Sequence, residues 1–224
     1  MDNTKITFYE KFDIVRRLLD ESGFSLLDGA IRRFDAHLSM IHAHGRTFGV
    51  VSRSDIEKGA YQHTIDSLSL IPHIQPLLDS SCPLVDIGSG GGFPGLVCAA
   101  AFPDSEIVLI ERSSKKCAFL RRCVAEMELQ HVSILSDSFD VFPWDAGPVI
   151  GLTRGLERAE EMVPQLISKM AEGSVCFWMT GSGVEVDFAE GFHVEQIVDE
   201  WLKLGVRRGV LYRIQVCKEE LGSA

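Results

Sequence analysis

A short apolar run followed by five glycines is the feature that most constrains the fold of this chain. The run 84–87 is typical of a buried strand, the glycines lie between Gly88 and Gly95, and the apolar stretch 96–100 begins a helix. Glycine lets the backbone turn sharply and approach a ligand closely, and the free amides at a helix start favour an anionic group. A simple turn needs one or two glycines. The segment therefore predicts a cofactor loop.

Two cofactor registers fit this loop. In the first, Asp86 precedes Gly88, Gly90 and Gly92, an arrangement typical of S-adenosylmethionine sites. In the second, Gly90, Gly92 and Gly95 match the fingerprint of dinucleotide-binding proteins. The first register begins where the strand ends and includes an acid, so it favours S-adenosylmethionine, with a nicotinamide cofactor as the alternative.

Acidic residues follow the next two apolar runs. Glu111 ends the run 107–110, and a carboxylate there can accept hydrogen bonds from both ribose hydroxyls of either cofactor. The alternative for Glu111 is a solvated acid at the start of the following helix. The polar loop 136–140 follows the third run and is placed to meet an adenine ring. Spacing alone leaves Asp137 and Asp140 as equal candidates there.

Periodic apolar residues predict helices over 8–19 and 26–42, and a capping box at 54–57 predicts a third helix that runs toward Pro72. Residues 1–75 are therefore interpreted as an N-terminal helical cap. The residues of the second helix expected to face solvent are Arg32, Arg33, Asp35 and His37.

After residue 76, short apolar strands alternate with helices, which predicts a doubly wound α/β domain over 76–224 with a mostly parallel sheet. The predicted strands are 83–87, 106–111, 132–136, 148–152 and 173–179, and the predicted helices are 95–102, 114–128 and 157–171. Two long strands, 192–203 and 207–217, complete the prediction as a terminal antiparallel hairpin. Such a hairpin fits a methyltransferase sheet better than a dinucleotide-binding one.

Composition excludes several classes of protein. The chain has 224 residues with 46% hydrophobic and 24% charged residues, which is the balance of an ordinary globular domain. A net charge of −10 argues against nucleic-acid binding by bulk electrostatics. The polar start and the short apolar runs predict neither a signal peptide nor a membrane span, so we expect a cytoplasmic protein. The six cysteines show no metal-ligand spacing, so we expect reduced thiols and no metal site.

Three further segments resemble, together with the glycine loop, one known family. They are 111–121, 149–156 and the His-x-x-Asp-Ser segment 63–67. Over residues 30–180 the chain resembles the RsmG family, also called GidB, whose members methylate N7 of a guanine in small-subunit (16S) ribosomal RNA. The resemblance implies a class I methyltransferase fold, Rossmann-like, with S-adenosylmethionine as the cofactor. It also implies ribosomal RNA or the assembled small subunit as the partner, and we expect a monomer.

Carried over position by position, the resemblance implies cofactor contacts at Gly88, Phe93, Phe139, Asp140 and Arg154. It thereby favours Asp140 over Asp137. The loop glycines Gly90 and Gly92 and the acid Glu111 complete the predicted cofactor site, and Arg154 and His63 are candidates for positioning. Guanine N7 carries a lone pair and no proton, so methyl transfer requires alignment and no general base, and no catalytic residue is predicted.

Two segments depart from the family pattern. The family has Asn-Leu-Thr where this chain has 49–51, and Leu-Lys-Gly where this chain has 179–181. These departures leave the target open, so methylation of another RNA, a protein or a small molecule stays an alternative, as do a nicotinamide oxidoreductase and a silent nucleotide-binding module. Contact between an acidic protein and RNA is expected from a basic rim, whose members are Arg32, Arg33, Arg53, Lys115, Arg121 and Arg122.

Overall fold

The computed structural model describes residues 8–50, 59–78, 82–156, 158–181 and 190–217. The α-helices are α1 (Phe8–Glu21), α2 (Asp28–Phe48), α3 (Gly59–Leu68), α4 (Ile71–Ile74), α5 (Gly95–Ala101), α6 (Ser114–Glu126), α7 (Ala159–Lys169) and α8 (Glu200–Lys203). The strands are β1 (Leu84–Ile87), β2 (Ile107–Ile110), β3 (Val132–Leu135), β4 (Ile150–Arg154), β5 (Val175–Thr180), β6 (Phe192–Gln196) and β7 (Val210–Val216). Short 3-10 turns span Gln75–Leu77 and Phe139–Val141.

The seven strands form one sheet in the order β3-β2-β1-β4-β5-β7-β6. Strands β1 to β5 pair in parallel, whereas β7 pairs antiparallel with both β5 and β6. The predicted α/β architecture with a terminal antiparallel hairpin is confirmed. The strand order reverses between β1 and β4, so the carboxyl ends of these strands open a crevice where ligands of such sheets bind. The glycine loop leaves β1 at that point.

Apolar side chains cover both faces of the sheet. Leu84 and Leu109 belong to one buried cluster, and their strand neighbours Val85 and Val108 belong to the other, because successive side chains of a strand point to opposite faces. Helices α2, α5 and α6 contribute to the first cluster and α7 contributes to the second. Burial on both faces explains why these strands are apolar and not alternating, with Asp86 of β1 as the exception.

The N-terminal helices share their core with the sheet. Phe34 and Ile41 of α2 are buried in the same cluster as Leu96 of α5 and Phe119 of α6. The division of the chain into a cap over 1–75 and a domain over 76–224 stays a prediction. Within the described residues, we find no helix that combines the length and the apolar character needed to cross a bilayer.

Helix α2 corrects two predictions. It continues beyond residue 42 to Phe48, and Gly49, with φ 68°, ends it in the left-handed conformation. Gly45 does not stop it, since this residue is buried and packing outweighs a modest loss of helix propensity. The prediction that His37 faces solvent is wrong: its exposed fraction is 1%. Residues 34, 37, 38 and 41 lie on one helix stripe, and that stripe faces the core.

The predicted strand over 192–203 is also wrong in its second half. Strand β6 ends at Gln196, and the carboxylate of Asp199 then accepts a hydrogen bond from the Leu202 amide at 3.1 Å and caps α8. Trp201, which is buried, anchors this short helix. The capping box at 54–57 lies outside the described residues.

Candidate functional site

The backbone of the glycine loop has a conformation and a packing that favour glycine over residues with a Cβ atom. Gly88, Gly90 and Gly92 have φ values of 74°, 49° and 89°, in the left-handed region that favours glycine. A Cβ at Gly92 would lie 2.4 Å from Leu96 Cδ1, and one at Gly95 would lie 2.5 Å from Asp86 Oδ2. The glycines are therefore required by the close packing of the loop against α5 and β1.

Glu111 ties the loop to the neighbouring strand. Its Oε2 accepts a hydrogen bond from the Gly90 amide at 3.0 Å, and its Oε1 accepts one from the Ser113 amide at 2.8 Å. The residue is 6% exposed. A carboxylate offers roughly four acceptor sites, so both oxygens keep capacity for hydroxyl donors of a ligand. Glu111 is thus fixed in orientation, as a ribose-binding acid must be, and it does not simply cap α6 from solvent.

Asp86 lies beneath the loop. Its Oδ2 accepts a hydrogen bond from the Gly95 amide at 3.1 Å, and among the described residues its buried Oδ1 has no partner. Burial raises the pKa of Asp86 to about 7, against the lowering effect of hydrogen bonds from Ser89 and Gly95. The side chain is therefore close to its titration midpoint near neutral pH, and it stabilises the turn from loop to helix.

Two histidines flank Phe93. The ring of Phe93 lies 4.7 Å from that of His37 and 5.5 Å from that of His63, measured between centroids. Burial lowers the pKa of His37 to about 4, so its ring is neutral at pH 7. Its Nε2 lies 2.7 Å from the Gly91 carbonyl oxygen and therefore donates the proton. His37 holds the loop against α2, a role that the sequence interpretation missed although its position on the apolar stripe of α2 indicates burial.

Two adjoining cavities open at the carboxyl edge of the sheet, with volumes of about 480 Å³ and 370 Å³. We call them the first and the second cavity. Both are lined by Gly88, Lys116 and Gly155. The predicted residues Gly90, Phe93, His63 and Arg154 line the first cavity. Glu111 and Phe139 line the second.

Two predicted residues lie outside both linings. Gly92 lies on the side of the loop that packs against Leu96 of α5. The carboxylate of Asp140 is exposed, accepts a hydrogen bond from Ser138 Oγ at 2.8 Å and lies 3.3 Å from Lys169 Nζ. Asp137, which spacing alone ranked equally with Asp140, lines the second cavity. The Asp140 side chain thus faces away from both cavities, and its contact with the adenine stays a prediction.

Arg154 forms an ion pair with Asp66 of α3. Its Nη2 donates to Asp66 Oδ2 at 2.9 Å, and Asp66 is 2% exposed. Asp66 comes from the His-x-x-Asp-Ser segment on α3, so this segment and the end of β4 meet at the first cavity.

The predicted basic rim does not line either cavity. Arg33 Nε donates to the Met127 carbonyl oxygen at 3.1 Å, and Arg122 lies over the Phe48 ring at 5.1 Å. Arg53 lies outside the described residues. The cations that line the first cavity are Lys116, Arg154 and Arg208.

The cysteines are free thiols. Four of them, Cys98, Cys117, Cys123 and Cys176, are buried, and burial raises the pKa of Cys176 to about 12. In the part of the chain that the structure describes, no three side chains of histidine, cysteine, aspartate or glutamate are grouped as a metal site would require.

Comparisons with known proteins place this geometry in a family. Residues 30–200 match the family model described as GidB, rRNA small subunit methyltransferase G. The chain belongs to this family. The matched GidB region contains the glycine loop, Glu111, Phe139 and Arg154, and it ends before Arg208 and β7.

Individual relatives of the chain carry the same name as the family model. A protein named Ribosomal RNA small subunit methyltransferase G from Neisseria meningitidis serogroup C (strain 053442) is 32% identical over 57% of this chain. That alignment spans 59% of the relative's length, less than two thirds. One of the same name from Granulibacter bethesdensis is 33% identical over 79% of this chain and 80% of its own.

Solved structures share the fold at low identity. A mutant of MtNAS in complex with S-adenosylmethionine covers 96% of this chain and 86% of its own, with a TM-score of 0.58 and 13% identity. A putative O-methyltransferase from Klebsiella pneumoniae covers 92% of this chain and 97% of its own, with a TM-score of 0.56 and 9% identity. These matches support the methyltransferase fold of the GidB family chain.

Proposed function

We propose that the protein transfers a methyl group from S-adenosylmethionine to N7 of a guanine in small-subunit ribosomal RNA. The observation that carries the proposal is the glycine loop fixed by Glu111, which opens into two adjoining cavities, one lined by this acid and one lined by cations. Membership of the GidB family supports the same activity. The proposal places the reaction in the cytoplasm, with the protein as a monomer.

The residues of the second cavity fit the adenosine part of the cofactor. Glu111 would accept hydrogen bonds from the ribose, and Phe139 with Leu156 supplies apolar surface for the adenine ring. Asp137 lies where a carboxylate could accept a hydrogen bond from the adenine amino group. The loop at Gly88 and Gly90 would hold the amino-acid end, since glycine allows the backbone to approach it.

Positioning is the main task of the protein's own residues in this reaction. When bound, the cofactor supplies an electrophilic methyl group on a sulfonium. Guanine N7 needs no deprotonation, so alignment and exclusion of water lower the barrier. Phe93 and Arg154, which the resemblance assigns to the cofactor, line the first cavity together with His63. At this position they would also align the base with the methyl group. The guanine would thus contact the aromatic rings of Phe93 and His63 and the guanidinium of Arg154. No side chain is assigned as a base.

The charges of the first cavity explain how an acidic protein would meet RNA. Among the described residues that line it, three cations, Lys116, Arg154 and Arg208, face one carboxylate, Asp66. The net charge of −10 is therefore distributed elsewhere, and the cavity mouth attracts phosphate. These residues replace the predicted rim on α2 and α6 as the proposed RNA contact.

A specific observation favours a different RNA as the second candidate substrate. Met179, Thr180 and Gly181 line the first cavity at the segment where the family pattern has a lysine. The loss of that cation leaves the cofactor residues intact and changes which RNA the first cavity would recognise.

The decisive experiment supplies radiolabelled S-adenosylmethionine with small ribosomal subunits, with total cell RNA that includes free ribosomal RNA, and with a mixture of cell proteins and metabolites. We expect label in ribosomal RNA, recovered as 7-methylguanine after digestion. Label in another RNA would support the second candidate. Label in proteins or metabolites alone would overturn the ribosomal RNA proposal, and stabilisation of the protein by NAD and not by S-adenosylmethionine would overturn the cofactor assignment.

A further inference from the structure

We infer that Lys11, Gln62 and Asp66 form a positioning relay for Arg154, so that the N-terminal helix α1 fixes a residue of the first cavity. We call these four side chains the Lys11–Arg154 relay. The inference rests on the proposed function, because it assigns Gln62 and Lys11 the task of holding Arg154 for methyl transfer. Neither residue belongs to the site predicted from the sequence.

Gln62 is the centre of the relay. Lys11 Nζ donates to its Oε1 at 2.8 Å, and its Nε2 donates to Asp66 Oδ1 at 2.8 Å and to the Val206 carbonyl oxygen at 2.9 Å. The opposite orientation of the amide would place its oxygen against a carboxylate and its NH₂ against an ammonium group. Both contacts would be repulsive, so the charges at the two ends fix which way Gln62 points.

Asp66 passes this constraint to Arg154. Its Oδ1 also accepts a hydrogen bond from the Arg208 amide at 2.9 Å, and its Oδ2 faces Arg154 Nη2 at 2.9 Å. A carboxylate that is 2% exposed requires such donors to offset its desolvation. Because Gln62 and a main-chain amide both donate to Oδ1, the plane of the carboxylate is fixed. The position of Oδ2 is then fixed as well, and with it the position of the guanidinium that donates to it.

The relay joins parts of the chain that are far apart in sequence. Lys11 lies on α1, Gln62 and Asp66 lie on α3, and Arg154 ends β4. Gln62 and Asp66 are four residues apart and hence on one face of α3, which lines the first cavity. A shift of α1 against α3 would therefore reach Arg154 through two hydrogen bonds and one ion pair.

The test measures methylation kinetics and cofactor affinity for Gln62→Met, Lys11→Met and Thr64→Val. Methionine matches glutamine in length, is one atom shorter than lysine, and removes the hydrogen bonds of both. We expect kcat/KM with ribosomal RNA to fall about 10-fold for Gln62→Met and about 3-fold for Lys11→Met. Thr64 is the matched control, because it is buried on the same helix and its hydroxyl donates within α3, to the Ala60 carbonyl oxygen. Its substitution should change kcat/KM less than twofold.

A double-mutant cycle separates positioning from loss of stability. In an Arg154→Lys background, Gln62→Met should lower kcat/KM less than twofold further, because members of one hydrogen-bond network are not additive, and melting temperatures of the same variants should show that each is folded at the assay temperature. Additive losses in kcat/KM would overturn the relay. So would a crystal structure of Gln62→Met, or of Lys11→Met should the first variant not fold, in which Arg154 still contacts Asp66 while kinetics match the wild type. A wild-type protein that methylates no RNA would overturn the proposed function instead, and the crystal structures would then decide the relay alone.

Discussion

The proposed cofactor side and the proposed substrate side of the site are held together in different ways. Around the glycine loop, Gly95 donates to Asp86 and Gly90 donates to Glu111, over separations of 9 and 21 residues. On the substrate side, Asp66 meets Arg154 and the Arg208 amide over separations of 88 and 142 residues. In the first region, main-chain amides of the loop donate to carboxylates on or just after neighbouring strands. In the second, a buried carboxylate on α3 joins the Arg154 side chain to the Arg208 amide just before β7.

This contrast shows where each function is vulnerable. A closely packed loop fails where an added Cβ would collide with its neighbours, as at Gly92 and Gly95. A network of side chains fails when one member is removed, because the partners left behind are buried charges. Cofactor binding and substrate positioning should therefore respond to different substitutions, and five measurements test this separation.

The pH dependence of stability gives the largest expected effect on the cofactor side. Folding raises the pKa of Asp86 to about 7, so between pH 4 and pH 7 the folded protein binds more protons at this group than the unfolded chain does. The contribution of Asp86 to stability is therefore lost as pH rises. The free energy of unfolding of Asp86→Asn minus that of the wild type should therefore increase by about 1 kcal/mol for each unit that pH rises in this window.

Urea denaturation of both proteins at several pH values measures this difference. The opposite change at His37, whose pKa folding lowers to about 4, is present in both proteins and cancels in the comparison. A difference that stays constant from pH 4 to pH 7 would contradict the burial of an ionisable Asp86.

Gly95→Ala should nearly abolish cofactor binding. The added Cβ would lie 2.5 Å from both Asp86 Oδ2 and Leu109 Cδ2, so the start of α5 must move away from β1. We expect S-adenosylmethionine affinity to fall about 100-fold in titration calorimetry. Gly147→Ala is the control, since a Cβ there meets no atom within 4 Å and should leave affinity unchanged. Equal affinities for the two variants would show that the loop is not shaped by this packing.

Glu111→Ala should weaken S-adenosylmethionine binding about 30-fold, since it removes both the proposed ribose acceptor and the acceptor of the Gly90 amide. Glu106, an exposed acid just before the same strand, gives the matched substitution and should change the affinity less than twofold. The same calorimetric titration serves both variants. If Glu111→Ala binds the cofactor like the wild type, the ribose role is excluded.

Arg208→Glu tests the substrate side alone. Repulsion of phosphate at the cavity mouth should raise the KM for ribosomal RNA about 10-fold and reduce its salt dependence. Cofactor affinity should stay within twofold. Arg121→Glu carries the same charge change to an exposed site of α6 that lines neither cavity, and it should leave both constants unchanged. A larger effect of Arg121→Glu would restore the predicted rim as the RNA contact.

Asp137→Ala and Asp140→Ala decide which acid serves the adenine. Because only Asp137 lines the second cavity, its loss should weaken cofactor binding about 5-fold, whereas loss of Asp140 should have less than a twofold effect. Titration calorimetry on the two variants is sufficient. The reverse order would mean that the turn at 139–141 rearranges when the cofactor binds.

The sequence by itself determined the cofactor side of this protein. The strand, the glycines and Glu111 lie close along the chain, and the parallel sheet places the ends of β1 and β2 side by side, as the hydrogen bonds of Glu111 confirm. The antiparallel hairpin was predicted for the same reason, because neighbouring strands pair locally. The helix at Glu200–Lys203 was missed, since one capping carboxylate outweighed the apolar pattern.

Only the tertiary structure decided the substrate side. The position of Arg208 and the contacts from Lys11 to Arg154 depend on partners that residue spacing does not specify. The same holds on the cofactor side for the burial of His37 and for the outward direction of the Asp140 side chain. A buried polar side chain is stable only where donors and acceptors from distant segments meet it. Chain packing brings those groups together, and for this reason a single sequence predicted the glycine loop proposed for the cofactor and not the side-chain contacts proposed for the substrate.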